Sequence, residues 1–249
     1  MTALMRLLCI LVSVVIAATV ALVACAQEAG PPLNQLTDEE VAQGYLLLLD
    51  GETLDGWATT GNPDGWTVEE GVIVNLVRGG GYLYREDLWD NYVLCLDFMV
   101  DPGTNSGVFF RWQDLGNDLT GIEMQVLDSA GSNPPSKYDC GAIYDIIAPW
   151  RNTMKPAGEW NAAKLVCVDS LITIYLNGEP ISGMDLSRWT EPHRNPDGSE
   201  HKFPVAYADL VGPGHIGFQD HGSPVRYRNI KIKPLGIGVG PVVPAAATP

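Results

Sequence analysis

The chain has 249 residues, with 30 acidic against 15 basic side chains and a formal net charge of −15 at pH 7. A surface of that sign repels a phosphate backbone, which excludes nucleic acid as a partner. Charged residues make up only 18% of the chain, and the 7 Trp and 9 Tyr leave enough apolar and aromatic material for one well-filled core.

In chain order, Arg6 precedes an unbroken run of apolar and small residues from Leu7 to Ala24, the layout of a signal peptide. The run closes on Leu22, Val23, Ala24 and Cys25, the pattern of a bacterial lipoprotein signal cut ahead of a diacylated cysteine. The expectation is a signal peptide over 1–24, a lipidated Cys25 that ties the mature chain to a membrane, and a linker over 25–36. An uncleaved membrane helix is the other reading, since about 18 apolar residues just span a bilayer. Both readings export the domain, as a secreted, membrane-anchored protein. In a Gram-negative host Ala26, standing where an Asp would retain the anchor in the inner membrane, points to the periplasmic or outer-membrane face.

The folded domain is expected over 37–235. In LTDEEVAQG, Thr37 and Glu40 stand at capping-box spacing and Gly44 supplies a stop, which predicts one short N-terminal helix. Beyond it the chain reads as strand. WTVEEGVIV turns at Glu70-Gly71, YVLCLDFMV and SGVFFRW are β-rich runs, and KLVCVDSLITIYLNG is a hairpin followed by an Asn177-Gly178 turn. Short β runs separated by regular turn signals predict an all-β sandwich. Ser129 to Tyr138 and Met184 to Pro213 break the rhythm as loops longer than a connection requires, and such loops tend to carry function. The tail over 236–249 is Gly, Pro, Ala and Val without periodicity, which predicts a disordered extension.

Beyond Cys25 the chain keeps Cys95, Cys140 and Cys167, an odd set that cannot pair completely. Cys95 and Cys167 sit in apolar strand-like runs, where a buried thiol acts as a small hydrophobe. No Cys/His cluster has zinc spacing. The acidic loop from Asp114 to Asp118 offers oxygen ligands for a divalent cation such as calcium, but its spacing matches no ligand motif and no cofactor is assigned.

Side chains alternate across a strand, so parity sorts the polar residues into faces. In GIEMQVLD, Glu123 and Gln125 share one face. In NSGVFFRW, Asn105, Phe109 and Arg111 fall together, with Val108, Phe110 and Trp112 opposite. In HIGFQDHG, Gln219 and His221 fall together, opposite Phe218 and Asp220. Each has a bland reading: a solvated strand residue for Gln125 or Gln219, a rim ion pair for Arg111, a structural turn residue for His221, a solvated loop cation for Lys155. Several such groups on short ordered segments fit better with a polar cleft lying across one sheet.

The same segments carry a resemblance. LLLLDGETLDGW, NSGVFFRW, GIEMQVLD, CGAIYDIIAP, KPAGEWN, LITIYLNG, DLSRWTEPHRNPDGSEHKFP and GHIGFQDHGSPVRYRNIKIKPL, together spanning Leu46 to Leu235, resemble the 3-keto-disaccharide hydrolase family, whose members are also described as 3-keto-glucoside lyase or hydratase domains. The resemblance implies a concanavalin A-like, laminarinase-like fold, an antiparallel β-sandwich or jelly roll with a sugar cleft on its concave face. It also implies a glycoside substrate already oxidised at carbon 3.

A retaining glycosidase would need two carboxylates about 5 to 5.5 Å apart. Here the strand position two residues after Glu123 is the amide Gln125, which disfavours ordinary glycoside hydrolysis by that pair. A 3-keto sugar has an acidified hydrogen on carbon 2, so a base can remove it and the glycosidic oxygen can leave by elimination; water added back makes the net outcome hydrolysis. The chemistry needs a base, a cation for the developing enolate and an acid for the leaving oxygen. The expected catalytic set is His221 as base, Arg111 and Lys155 at the enolate oxygen, and Glu123 as acid, with the roles of His221 and Glu123 exchangeable. Gln125, Gln219, Asn105, Trp112 and Asp220 are the expected substrate-binding residues. The main alternative is a non-catalytic carbohydrate-binding module in which Trp66, Trp112, Trp150 and Trp189 stack on sugar rings; a third is a scaffold that binds no sugar at all.

Overall fold

The computed structural model describes residues 32–236. The signal peptide, Cys25 and the tail beyond Gly236 lie outside the described residues. The capping box forms as its spacing requires: the Glu40 amide donates to Thr37 Oγ1 at 3.2 Å, the Thr37 amide donates to the Glu40 carboxylate at 3.0 Å, and the helix α1 runs over Asp38–Ala42. The expected linker over 25–36 ends sooner than predicted. Asn34 is buried and exchanges two hydrogen bonds with Asn229, at 2.9 and 2.8 Å, so the chain is already docked there.

Among the described residues the strands are β1 (Leu46–Leu47), β2 (Trp57–Thr59), β3 (Trp66–Glu69), β4 (Val72–Asn75), β5 (Tyr82–Arg85), β6 (Tyr92–Val100), β7 (Asn105–Trp112), β8 (Ile122–Leu127), β9 (Asn161–Val168), β10 (Leu171–Leu176), β11 (Glu179–Asp185), β12 (His215–Gln219) and β13 (Val225–Pro234). They form two antiparallel sheets. The larger has eight strands in the order β11-β10-β9-β6-β13-β4-β3, with β1 also on β13; the smaller has five, in the order β2-β5-β12-β7-β8. The predicted turns sit where they were expected, with Glu70 and Gly71 at φ 51° and 82°, and Asn177 and Gly178 at 52° and 87°. Two successive positive φ angles match the right-handed twist of the flanking strands.

The core lies between the sheets. β6 alternates strictly, burying Tyr92, Leu94, Leu96, Phe98 and Val100. Ile122, Met124 and Val126 of β8 and Ile216 and Phe218 of β12 face them from the small sheet, and the Phe218 ring stacks on Tyr227 with centroids 4.0 Å apart. Cys140 and Cys167 are unpaired and fully enclosed, and burial pushes their thiols up to about 12 and about 11. Cys95 is also unpaired but turns away from the core, half-buried, because it falls on the odd parity of β6 beside Tyr45.

β7 and β8 depart from this alternation, since almost every residue in them is buried on both faces. A strand at the side of a two-layer sandwich has only one core face. Loops therefore cover the other. Residues 140–147 lie along β8, with the Gln125 amide donating to the Ala142 carbonyl and the Tyr144 amide to the Glu123 carbonyl, both at 3.0 Å. The long segment after β11, which begins at Leu186, two residues later than expected, returns to place Lys202 and Phe203 over the same face.

Candidate functional site

The covered face of the small sheet holds a cavity of about 270 Å³. Its floor is built by parity: Tyr82 from β5, Asn105 and Phe109 from β7, Glu123 and Gln125 from β8, and Gln219 from β12. Its rim comes from loops: Asp118 and Leu119, Tyr144, Lys202 and Phe203, and Asp220 and His221.

Glu123 is the centre of this arrangement. It is only 7% exposed and makes no ion pair among the described residues. Burial pushes its carboxyl up to about 8, Asp118 adds to the rise, and Lys202 opposes it. A carboxyl in this state keeps its proton at neutral pH and can give it to a leaving oxygen. Gly107 makes the position available, because a Cβ there would collide with the Glu123 carboxyl. Lys202 is set over the rim by its own loop, with its backbone amide donating to Asp145 at 3.2 Å and its ammonium 4.3 Å from the Tyr144 ring centroid. Asp145 also binds Lys137 at 2.6 Å and Tyr138 at 2.9 Å, so one carboxylate ties three loop positions together.

On the opposite wall Tyr82 donates to Asp118 at 2.8 Å and accepts from the Gln219 amide nitrogen at 3.1 Å. Burial raises the Tyr82 hydroxyl, which therefore keeps its proton for Asp118. Since that single proton is committed, Gln219 must present its nitrogen to Tyr82, which leaves its oxygen as an acceptor. Asn105 Oδ1 has no partner among the described residues and is a second acceptor in the floor. Donors of a sugar hydroxyl match both.

The sequence-predicted residues divide into two groups. Glu123, His221, Gln125, Gln219, Asn105 and Asp220 all line the cavity. Asp220 does so with both oxygens engaged on backbone, accepting from Gly80 at 2.8 Å and Gly222 at 2.9 Å, so it holds the turn that carries the exposed His221.

Arg111, Lys155 and Trp112 are elsewhere, and each is a correction. β7 bulges before its end: His215 pairs with Trp112 but Gly217 pairs with Phe109, and Arg111 takes φ 49°. One extra residue reverses the parity after it. Arg111 turns inward and is fully buried, donating to the carbonyls of Gly212 at 3.0 Å and Asp169 at 2.7 Å. Trp112 turns outward, yet it lies beneath Tyr82, with centroids 4.8 Å apart, and under its own following loop, where its indole donates to Asn117. Lys155 is an exposed loop residue whose ammonium binds the Trp160 carbonyl at 2.9 Å, away from the cavity. The tryptophans offered as stacking platforms are likewise outside the cavity lining; Trp66 and Trp189 are buried, and Trp150 is 62% exposed.

Sequence reasoning missed Tyr82, Leu119, Tyr144, Lys202 and Phe203, and offered Asp118 only as part of a cation loop. The signals were faint: Tyr82 stands in a GGGYLYR run of strand character, and Lys202 lies in a loop whose length alone pointed to function. Among the described residues no three side chains of metal-ligating type converge, and Asp118, offered for calcium, is bound by Tyr82.

A two-sheet sandwich with a polar, carboxyl-centred, sugar-sized hollow over one sheet is the class of a carbohydrate-acting β-sandwich protein. The model of the 3-keto-alpha-glucoside-1,2-lyase-like domain family matches residues 44–233, and the chain belongs to that family. A 3-keto-disaccharide hydrolase from Bacteroides thetaiotaomicron is 32% identical over 231 residues, covering 78% of this chain and 79% of the relative. Two crystal structures from Parabacteroides distasonis, provisionally assigned as glycosyl hydrolases, superpose with TM-scores of 0.69 each, at 33% and 28% identity. They cover 77% and 82% of this chain, and 99% and 100% of their own.

Proposed function

We propose that the protein cleaves 3-keto-glycosides by elimination across carbons 1 and 2. The observation that supports this most is the buried, unpaired Glu123 carboxyl, pushed up to about 8 in the floor of a hollow with hydroxyl-binding groups around it. In this reading His221 takes the proton from carbon 2, Lys202 faces the enolate oxygen at carbon 3, and Glu123 protonates the glycosidic oxygen. The bond between carbon 2 and its hydrogen and the bond from carbon 1 to oxygen break, and a double bond forms between carbons 1 and 2. Water then adds its hydroxyl to carbon 1 and a proton to carbon 2, so the balance is hydrolysis. Lys202 replaces Arg111 and Lys155 in the scheme because it lines the cavity and they do not.

The volume fits one sugar ring, since pockets for larger ligands run from about 300 to 1,000 Å³. The non-catalytic module is the weaker reading, because its stacking tryptophans are outside the hollow. Export on a lipidated Cys25 remains part of the proposal, with membrane release in a Cys25→Ala variant as its test.

Turnover of a 3-keto-disaccharide in D2O tests the mechanism. Elimination and rehydration place deuterium on carbon 2 of the 3-keto product, with His221→Ala slowed about 10²-fold or more. Cleavage without deuterium at carbon 2, corrected for exchange of the free product, would exclude it. Tight binding of an unoxidised glycan, with no conversion of the 3-keto form, would favour the module.

A further inference from the structure

We infer that Gln125 is a positioning residue that dictates which oxygen of Glu123 carries the proton. Gln125 is 3% exposed and stands two residues beyond Glu123 on the same face of β8. Its amide lies between two acceptors, the Ser106 carbonyl at 2.9 Å and Glu123 Oε1 at 3.2 Å, so its nitrogen faces both. A backbone carbonyl has no proton to offer. Turning the amide over would set oxygen against oxygen, and the donation to Oε1 therefore holds in every protonation state of Glu123.

The anchor is rigid. Ser106 pairs with Val126 in the ladder, and its hydroxyl is held between the Gln219 carbonyl at 2.7 Å and the Tyr227 hydroxyl at 2.8 Å. Oε1 also lies against Gly107, where no side chain can displace it. The titratable groups around Glu123 are Lys202, Asp118, Tyr82, Tyr144, Tyr207, Tyr227, Asp220 and His221, and among the described residues none of them donates a hydrogen bond to it. Oε1 is thus an acceptor only, and the acid proton belongs to Oε2. This rests on the proposed acid role of Glu123 for its catalytic consequence, but the hydrogen bond itself can be read without substrate.

The test is the side-chain amide resonance of Gln125 in the intact protein, followed by NMR across the titration of Glu123, with infrared titration of the carboxyl alongside. The amide protons are expected to shift at the midpoint of Glu123 and to lose that response in Glu123→Gln. Gln125→Met, which keeps length and removes the donor, is expected to raise the midpoint by about one pH unit and to lower kcat while leaving KM within about twofold. An amide insensitive to pH overturns the inference even where the variant does not fold. So does a Gln125→Met midpoint equal to wild type, or a loss confined to KM, which would make Gln125 a sugar ligand. Absent turnover of 3-keto substrates with the amide coupling intact would sink the proposed function and leave the positioning standing.

Discussion

The outward face of the large sheet carries three ion pairs: Arg226 with Asp101 at 2.8 Å, Arg228 with Asp97 at 3.3 Å, and Lys231 with Glu40. The outward face of the small sheet buries Glu123 without an ion-pair partner, leaves Asn105 Oδ1 unpartnered, and covers both with loops. Both faces are products of the same β alternation. What separates them is whether a carboxyl is matched by an opposite charge, and a buried polar atom without a partner, such as Asn105 Oδ1, is costly enough to need a reason.

Substitutions break or sharpen this contrast, beginning with the largest effect. Lys202→Met removes the cation from the covered face and is expected to lower kcat about 10²- to 10³-fold, with the melting temperature nearly unchanged. Arg111→Met tests the opposite kind of residue. It strips two carbonyls of their buried donor and should reduce stability by about 3 kcal/mol in urea unfolding, while the folded fraction keeps its turnover. Gly107→Ala pushes the Glu123 carboxyl from its place and should cost about 1–3 kcal/mol and at least tenfold in kcat together. On the paired face, Arg226→Ala should change unfolding free energy by less than about 1 kcal/mol and leave kinetics alone.

Much of the scaffold was legible because its signals are local. The Thr37 and Glu40 capping box, the Glu70-Gly71 and Asn177-Gly178 turns and the strict alternation of β6 each depend on neighbours in sequence. The floor of the site was legible for the same reason, since Glu123 with Gln125, and Asn105 with Phe109, obey simple parity. Arg111 was misplaced because a non-glycine residue at φ 49° leaves no mark in the sequence, and one such residue inverts every side chain after it. Lys202 was missed because its place is set by a loop anchored on Asp145, 57 residues away in the chain.

The unpaired carboxyl also sets a pH dependence. Glu123 titrates near 8 in the folded protein against 4.5 for an ordinary carboxyl. Between those values the folded chain holds a proton that the unfolded chain has lost. Stability from this group is therefore full below about pH 4.5 and declines as pH rises through 8, by on the order of 4–5 kcal/mol in all. Glu123→Gln removes that loss along with the acid. Thermal unfolding and turnover of a 3-keto-disaccharide, measured on the same Glu123→Gln preparation at pH 9, give the most direct test. The expected result is a melting temperature at least about 5 °C above wild type, with turnover lower by 10² or more. A variant that is as active as wild type, or that melts lower at pH 9, would contradict the account.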